Sequence, residues 1–341
     1  GAQSGFGLIW LALFSYPMMG VVQEMCARIG LATGAGLATN IKRHYSKKVL
    51  FLCTSLLVIA NVFNIGANLG AMAESTKLVF PSINFLFLVI VFALISLVLQ
   101  IFVSYKGYAK YLKYLALTLF AYVASALLVN INWLDAMRHL VVPNFSLSGD
   151  ILILICAALG TTISPYLFFW QTDQEVEEQI AKGEATETQR RVSTSEVDIK
   201  KMRIDVWSGM FISNLVMFFI IAASAATLFQ NGITNIATAS DAALALKPFA
   251  GDFAYVLFTL GILGTGFLSI PVLAGSASYA VSESFGWKYG LYRKLKQALA
   301  FYGVIISAVF VGIILNFVGL DPIKTLIYSA ILNGLVAPIV L

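Results

Sequence analysis

Polar residues along the chain are gathered into a few clusters, and the clusters are separated by apolar runs long enough to cross a lipid bilayer as helix. A hydrocarbon core roughly 30 Å thick needs about 20 consecutive apolar residues. By that measure the pattern predicts nine membrane helices, at approximately 6–28, 49–74, 84–104, 111–132, 149–171, 206–229, 252–283, 297–318 and 322–341. One long polar interval, 172–205, interrupts the series and predicts a charged cytoplasmic loop with its own short helix and a solvated face. The chain therefore divides into a first set of helices (1–171), that loop (172–205) and a second set (206–341).

Composition agrees with the pattern: 59% of residues are hydrophobic, 11% are charged, and mean hydropathy is +0.86. Water-soluble domains carry about 25% charged residues, so the class is an all-α integral membrane protein. Orientation comes from Lys and Arg, which accumulate on the cytoplasmic side. Placing the loop after the first span inside puts 18 of the 22 basic residues there, Lys106, Lys110 and Lys113 included, and leaves Lys77, Arg138, Lys247 and Lys324 outside. That asymmetry accounts for the net charge of +5 with the lipid bilayer as partner and no nucleic acid. Cys26, Cys53 and Cys156 sit singly in apolar runs, without disulfide or metal-ligand spacing. Only His44 and His139 are present, both in predicted loops, and no catalytic constellation falls at mid-membrane depth, so the chain does not read as an enzyme.

The same orientation runs the first span from outside to inside. A chain starting in the cytoplasm then needs one further span before residue 1, and the opening GAQSGFG, without Met, fits that expectation. Ten helices divide into five plus five, the organisation of inverted-repeat transporters with a broken helix opening each half.

GTTISPYLFFWQ, residues 160–171, would open the second half. Pro165 removes a backbone donor, freeing the carbonyl of Thr161, and Gly160 weakens the same turn. Freed carbonyls in lipid must face protein, water or an ion. Two readings stay open: a proline kink satisfied by the hydroxyls of Thr161, Thr162 and Ser164, or an unwound segment whose oxygens coordinate a cation at the midplane. Elsewhere, Glu24 and Arg28 stand at i, i+4 as a local ion pair, and the glycine-rich GILGTGFLSIP at 261–271 predicts close helix packing.

GTTISPYLFFWQ resembles the sixth helix of the NRAMP divalent-metal transporters, and residues 1–45 resemble their late first and second helices. The resemblance extends over the whole chain. It implies a LeuT-like inverted repeat of five plus five helices, discontinuous in helices 1 and 6, with alternating access and helix 1 largely missing from this sequence. Family metal ligands on the sixth helix map to the carbonyl of Thr161 and to Ser164, where the family has a methionine. Tyr166 stands at the family's histidine, and Asn64, Ala67 and Gly70 stand where the family has Asp, Glu and Gly. The carboxylates and the imidazole associated with proton movement are thus replaced by neutral groups, and a tyrosine with an ordinary pKa near 10 exchanges protons poorly at neutral pH.

Asn61, Asn64 and Asn68 form a polar stripe that faces the ion path or glues helices together, and Asn333 follows the family's tenth-helix ligand positions Ser329 and Ala330. Among NRAMP relatives these substitutions resemble the prokaryotic magnesium-transporting branch. That branch implies Mg²⁺ and also Mn²⁺ as transported substrate, partly hydrated, with no further cofactor. It also implies uptake driven by membrane potential without proton coupling, in a monomer of the inner membrane. The family's strongest ligand, an aspartate in helix 1, would precede residue 1. The alternatives are a proton-coupled Mn²⁺/Fe²⁺ transporter and an amino-acid or organic-solute permease of the same fold.

Overall fold

The computed structural model describes residues 1–103, 114, 117–143, 148–236, 238–319 and 321–340, which are helical with no strand among them. In chain order the main helices are α1 (Trp10–Thr33), α2 (Leu37–His44), α3 (Lys47–Val79), α4 (Phe85–Phe102), α5 (Ala121–Leu128), α6 (Trp133–Val141) and α7 (Gly149–Thr162). They continue as α8 (Pro165–Ala181), α9 (Glu187–Ser193), α10 (Glu196–Thr227), α11 (Ala254–Phe285), α12 (Leu299–Phe317) and α13 (Pro322–Val340). Eight helical segments among the described residues are long and apolar enough to cross a bilayer. The span expected at 111–132 is represented by the shorter apolar stretch Leu117–Leu128, because most of its first part lies outside the described residues, as do Lys106, Lys110 and Lys113.

Polar caps set several helix starts: the Ser46, Asn84 and Ser148 side chains accept from the backbone of Val49, Phe87 and Ile151. The charged interval 172–205 is largely helical. α8 runs through it to Ala181, α9 lies within it, and α10 begins at Glu196, well before the apolar run, on a capping box between Ser195 and Asp198. Hydropathy marks where a helix leaves the bilayer, whereas caps mark where its hydrogen bonding starts.

α3 is the central element, packed against α4, α11, α12 and α13, and it is buried on every side along much of its 33 residues. Polar side chains link the helices from within. Asn61 Nδ2 donates to the Leu273 carbonyl and to Ser276 Oγ, both at 2.8 Å, Gln100 Nε2 donates to the Pro271 carbonyl at 2.9 Å, and Ser15 Oγ donates to Asn214 at 2.8 Å. Each such bond contributes modestly in lipid but fixes rotation and register. The 261–271 stretch packs closely: a Cβ on Gly266 would lie 2.3 Å from the Met72 sulfur. The expected Glu24–Arg28 ion pair is present at 2.6 Å, and Glu24 also accepts from Arg203 Nε at 2.8 Å and Trp207 Nε1 at 2.7 Å, binding α1 to α10.

The connections carrying most basic residues meet at one end of the bundle. Arg190 Nε donates to the Gly34 carbonyl at 2.8 Å, Lys42 Nζ donates to the Ser284 carbonyl at 3.0 Å, and Arg43 clasps Glu187 through two bonds of 2.6 and 2.7 Å. The Arg43 guanidinium holds the Glu187 carboxyl below the usual glutamate range. A depressed carboxylate stabilises the fold above its unfolded pKa, and the contribution disappears as pH falls through the folded value. Because Arg43 and Glu187 are 44% and 34% exposed, solvent screening limits the pair to under about 1 kcal/mol. Glu187→Gln is therefore expected to lower the thermal midpoint slightly at neutral pH, with the difference vanishing in acid below about pH 4. A difference that grew with acidity would contradict the sign.

Candidate functional site

The 33-residue apolar segment Gly149–Ala181 is two helices. α7 ends at Thr162, Ile163 and Ser164 leave helical geometry with ψ of 72° and 137°, and Pro165 restarts the chain as the first residue of α8. Proline is suited to that position, since its missing N–H has no partner at a helix start. Gly160 was expected in the break, but it lies inside α7 and serves packing. A Cβ there would come 2.0 Å from the Ala330 carbonyl oxygen and 2.4 Å from the Gly334 nitrogen, so α7 and α13 cross backbone to backbone. Gly334 answers it against Cys156, 2.5 Å from that residue's carbonyl oxygen.

The hydroxyls at the break turn onto the end of α7. Thr161 Oγ1 donates to the Ala158 carbonyl at 2.8 Å, Thr162 Oγ1 to that of Leu159 at 3.0 Å, and Ser164 Oγ to that of Gly160 at 2.5 Å. The Thr161 carbonyl, deprived of its helical donor by Pro165, has Ser164 Oγ only at 3.3 Å. Features of both sequence readings coexist: the hydroxyls satisfy carbonyls, and the helix is nonetheless interrupted. Each hydroxyl spends its proton and keeps oxygen lone pairs. Thr161 is exposed, Thr162 and Tyr166 are half-buried, and Ser164 is fully buried.

The asparagines expected along the ion path differ in what their side chains do. Asn333, which precedes the Gly334 crossing on α13, is 2% exposed, and its Oδ1 is buried with no hydrogen-bond donor. A buried acceptor left open in this way is what a water or a cation satisfies. Asn64 and Asn68 return their amide nitrogens to the carbonyls of Ala60 and Asn64, at 3.0 and 2.8 Å, which leaves their oxygens as acceptors. Asn61, the third member of the stripe, is committed to holding α3 against α11.

The sequence reading missed a group of acids in α8. Asp173 was read as part of a solvated loop, yet it is 2% exposed. Glu177 accepts from Tyr279 OH at 2.5 Å and from the backbone nitrogens of Leu291 and Tyr292 at 2.7 and 3.2 Å. Its partner helix contributes Glu283, 3% exposed, at the end of an apolar run where a lone carboxylate was the available signal. On its other side α8 borders a polar cavity of about 560 Å³ lined by Gln171, Gln174, Glu175, Glu178, Lys201 and Asp205.

A family model described as "Natural resistance-associated macrophage protein-like" matches residues 1–341. A protein named divalent metal cation transporter MntH, from Erwinia tasmaniensis, is 28% identical over 293 residues, covering 84% of this chain and 66% of that protein. Its namesake in Klebsiella pneumoniae is 27% identical over 337 residues, covering 97% and 75%. The chain thus spans about two thirds to three quarters of the length of these relatives. Among solved structures it resembles Mhp1, a nucleobase-cation-symport-1 family transporter, in a closed conformation with bromovinylhydantoin bound. The TM-score is 0.60 at 14% identity, over 96% of this chain and 72% of that one. At that identity the likeness shows the fold alone, and that fold is the LeuT-like one expected from the sequence.

Proposed function

Because the chain belongs to the Nramp family, we propose that it carries divalent cations, a partly hydrated Mg²⁺ above all and Mn²⁺ as well, across a prokaryotic inner membrane by alternating access around the α7–α8 interruption. The relatives named as divalent metal cation transporters support the broader part of this reading. The preference for Mg²⁺ rests on one observation: Ser164, buried at the break, offers an oxygen and no sulfur. Hard cations select hydroxyl, carbonyl and water ligands, whereas thioethers favour softer transition metals. The Thr161 carbonyl and the amide oxygens of Asn64, Asn68 and Asn333 extend the same donor chemistry, and Thr162 and Tyr166 border it.

A doubly charged ion moving inward gains about 4.6 kcal/mol per 100 mV, twice the single-charge value. Uptake in this reading needs no coupled proton. Reconstitution in liposomes with an imposed negative-inside potential and internal Mg²⁺ and pH indicators tests it. Mg²⁺ entry without acidification beyond a leak control is expected. Acidification in step with entry would overturn the uncoupled mechanism, and absence of any divalent uptake would overturn the cargo. Ser164→Met should move the Mn²⁺ or Cd²⁺ to Mg²⁺ uptake ratio upward by about tenfold, the effect of roughly 1.4 kcal/mol at one ligand. An unchanged ratio in a folded variant would remove Ser164 from the ligand set.

A further inference from the structure

Asp173 on α8 and Glu283 on α11 are both buried, and one carboxylate oxygen of each converges on Gly36. Both press on the turn between α1 and α2. A Cβ on Gly36 would lie 1.8 Å from Glu283 Oε1 and 2.2 Å from Asp173 Oδ1, so only glycine leaves room for the two oxygens. Glu283 Oε2 accepts from the Thr39 backbone nitrogen at 2.7 Å. With both groups ionised, Glu283 Oε1 and Asp173 Oδ2 are buried with no donor.

The charged and titratable groups nearby are engaged elsewhere or add to the negative charge. Lys42 Nζ donates to the backbone carbonyls of Glu283 and Ser284, Arg43 holds Glu187, and Arg293 Nε donates to the Tyr289 carbonyl. Glu177 contributes a further carboxylate, bound to Tyr279 and the 291–292 backbone, and Tyr289 borders Glu283. No basic side chain among the described residues forms an ion pair with Asp173 or Glu283. Ionised carboxylates carry no donor, and Glu283 Oε1 and Asp173 Oδ1, 1.8 and 2.2 Å from one point, stand at most 4.0 Å apart away from solvent, so the pair calls for a proton between them.

We propose that Asp173 and Glu283 form a proton-binding site, in which one shared proton fastens α8 to α11 and to the Gly36 turn. Removing the proton sets two negative charges close together away from solvent and weakens the hold of α8 on α11 and on the Gly36 turn. The site is separate from the α7–α8 break and uses none of its residues. It gives a chain whose Asn64, Ala67 and Tyr166 carry no readily exchanged proton a titratable element of its own.

Infrared spectroscopy of the purified full chain reads that proton directly, whatever ion the protein carries. At neutral pH the wild type is expected to show a protonated-carboxyl stretch that shifts in D₂O. In a Glu175→Gln background, which removes the other carboxyl of α8 able to hold a proton at neutral pH, the band should persist and then be lost on adding either Asp173→Asn or Glu283→Gln, which preserve shape and hydrogen bonding. As pH is raised, loss of the wild-type band should coincide with a fall in thermal midpoint that the two variants lack. A wild type without the band at neutral pH overturns the proposal even if neither variant folds. So does a band that survives in the folded variants. A band abolished by Mg²⁺ at constant pH would reassign the pair to a metal ion and also overturn it.

Discussion

Gly160→Val is expected to destabilise the fold by about 3 kcal/mol, at the upper end of the range for overpacked interiors. The reason is what the new side chain meets. The nearest neighbours of a Cβ at that position are backbone atoms, the Ala330 oxygen and the Gly334 nitrogen, and backbone cannot rotate aside as a flexible side chain does. α7 and α13 must therefore separate along the length of their contact. Gly209→Ala supplies the contrast. Gly209 is inside α10 with nothing within 4 Å of a Cβ, so alanine there should raise stability by roughly 0.5–1 kcal/mol through lower chain entropy. Thermal melting of the detergent-solubilised proteins checks both, and a Gly160→Val protein melting with the wild type would show that the α7–α13 crossing is not as close as described.

Glu177→Ala should cost about 3 kcal/mol as well, by a different route. The carboxylate receives the Tyr279 hydroxyl and the Leu291 and Tyr292 backbone nitrogens, so its removal leaves the Tyr279 hydroxyl proton without an acceptor, and the Leu291 nitrogen keeps only the Tyr279 oxygen, at 3.1 Å. Hydrogen bonds to a charged group are worth about 1.5–3 kcal/mol, and a buried donor left unpaired adds its own penalty. Glu177→Gln keeps one oxygen and should recover about half of the loss. Limited proteolysis gives the local readout: the connection between α11 and α12 should be cut faster in the alanine variant. Equal cutting of wild type and variant would mean that Glu177 does not secure that connection.

How much of this was legible in the sequence depended on which solvent acted on the residues. A bilayer demands unbroken apolar length, so α3, α4, α12 and α13 announce themselves, and the departure from helix near Pro165 follows from a missing N–H. Pairings between distant helices leave no comparable trace. Nothing around Gly160 indicates that its partner is Gly334, because closeness depends on how α7 and α13 cross. Asp173 sits in a charged run that reads as solvated, and its burial is decided by Glu283 and Gly36 on other elements. The asparagine stripe was visible, but only tertiary contacts separate Asn61, which holds two helices together, from Asn64 and Asn68, whose amide nitrogens return to their own helix. The early start of α10 was hidden because its first turns are polar and are sustained by the Ser195 cap.

The two halves of the interrupted span keep different company. α7 is seated on α13 through Gly160 and Gly334, whereas α8 is tied to α1 by the Thr172 hydroxyl on the Cys26 carbonyl at 3.0 Å and to α11 through Glu177 and Tyr279. Ile163 and Ser164 thus form a swivel between two anchorages. A rod jointed there can tilt below the joint without dragging the part above it, and a continuous helix in the same place would have to carry both scaffolds together.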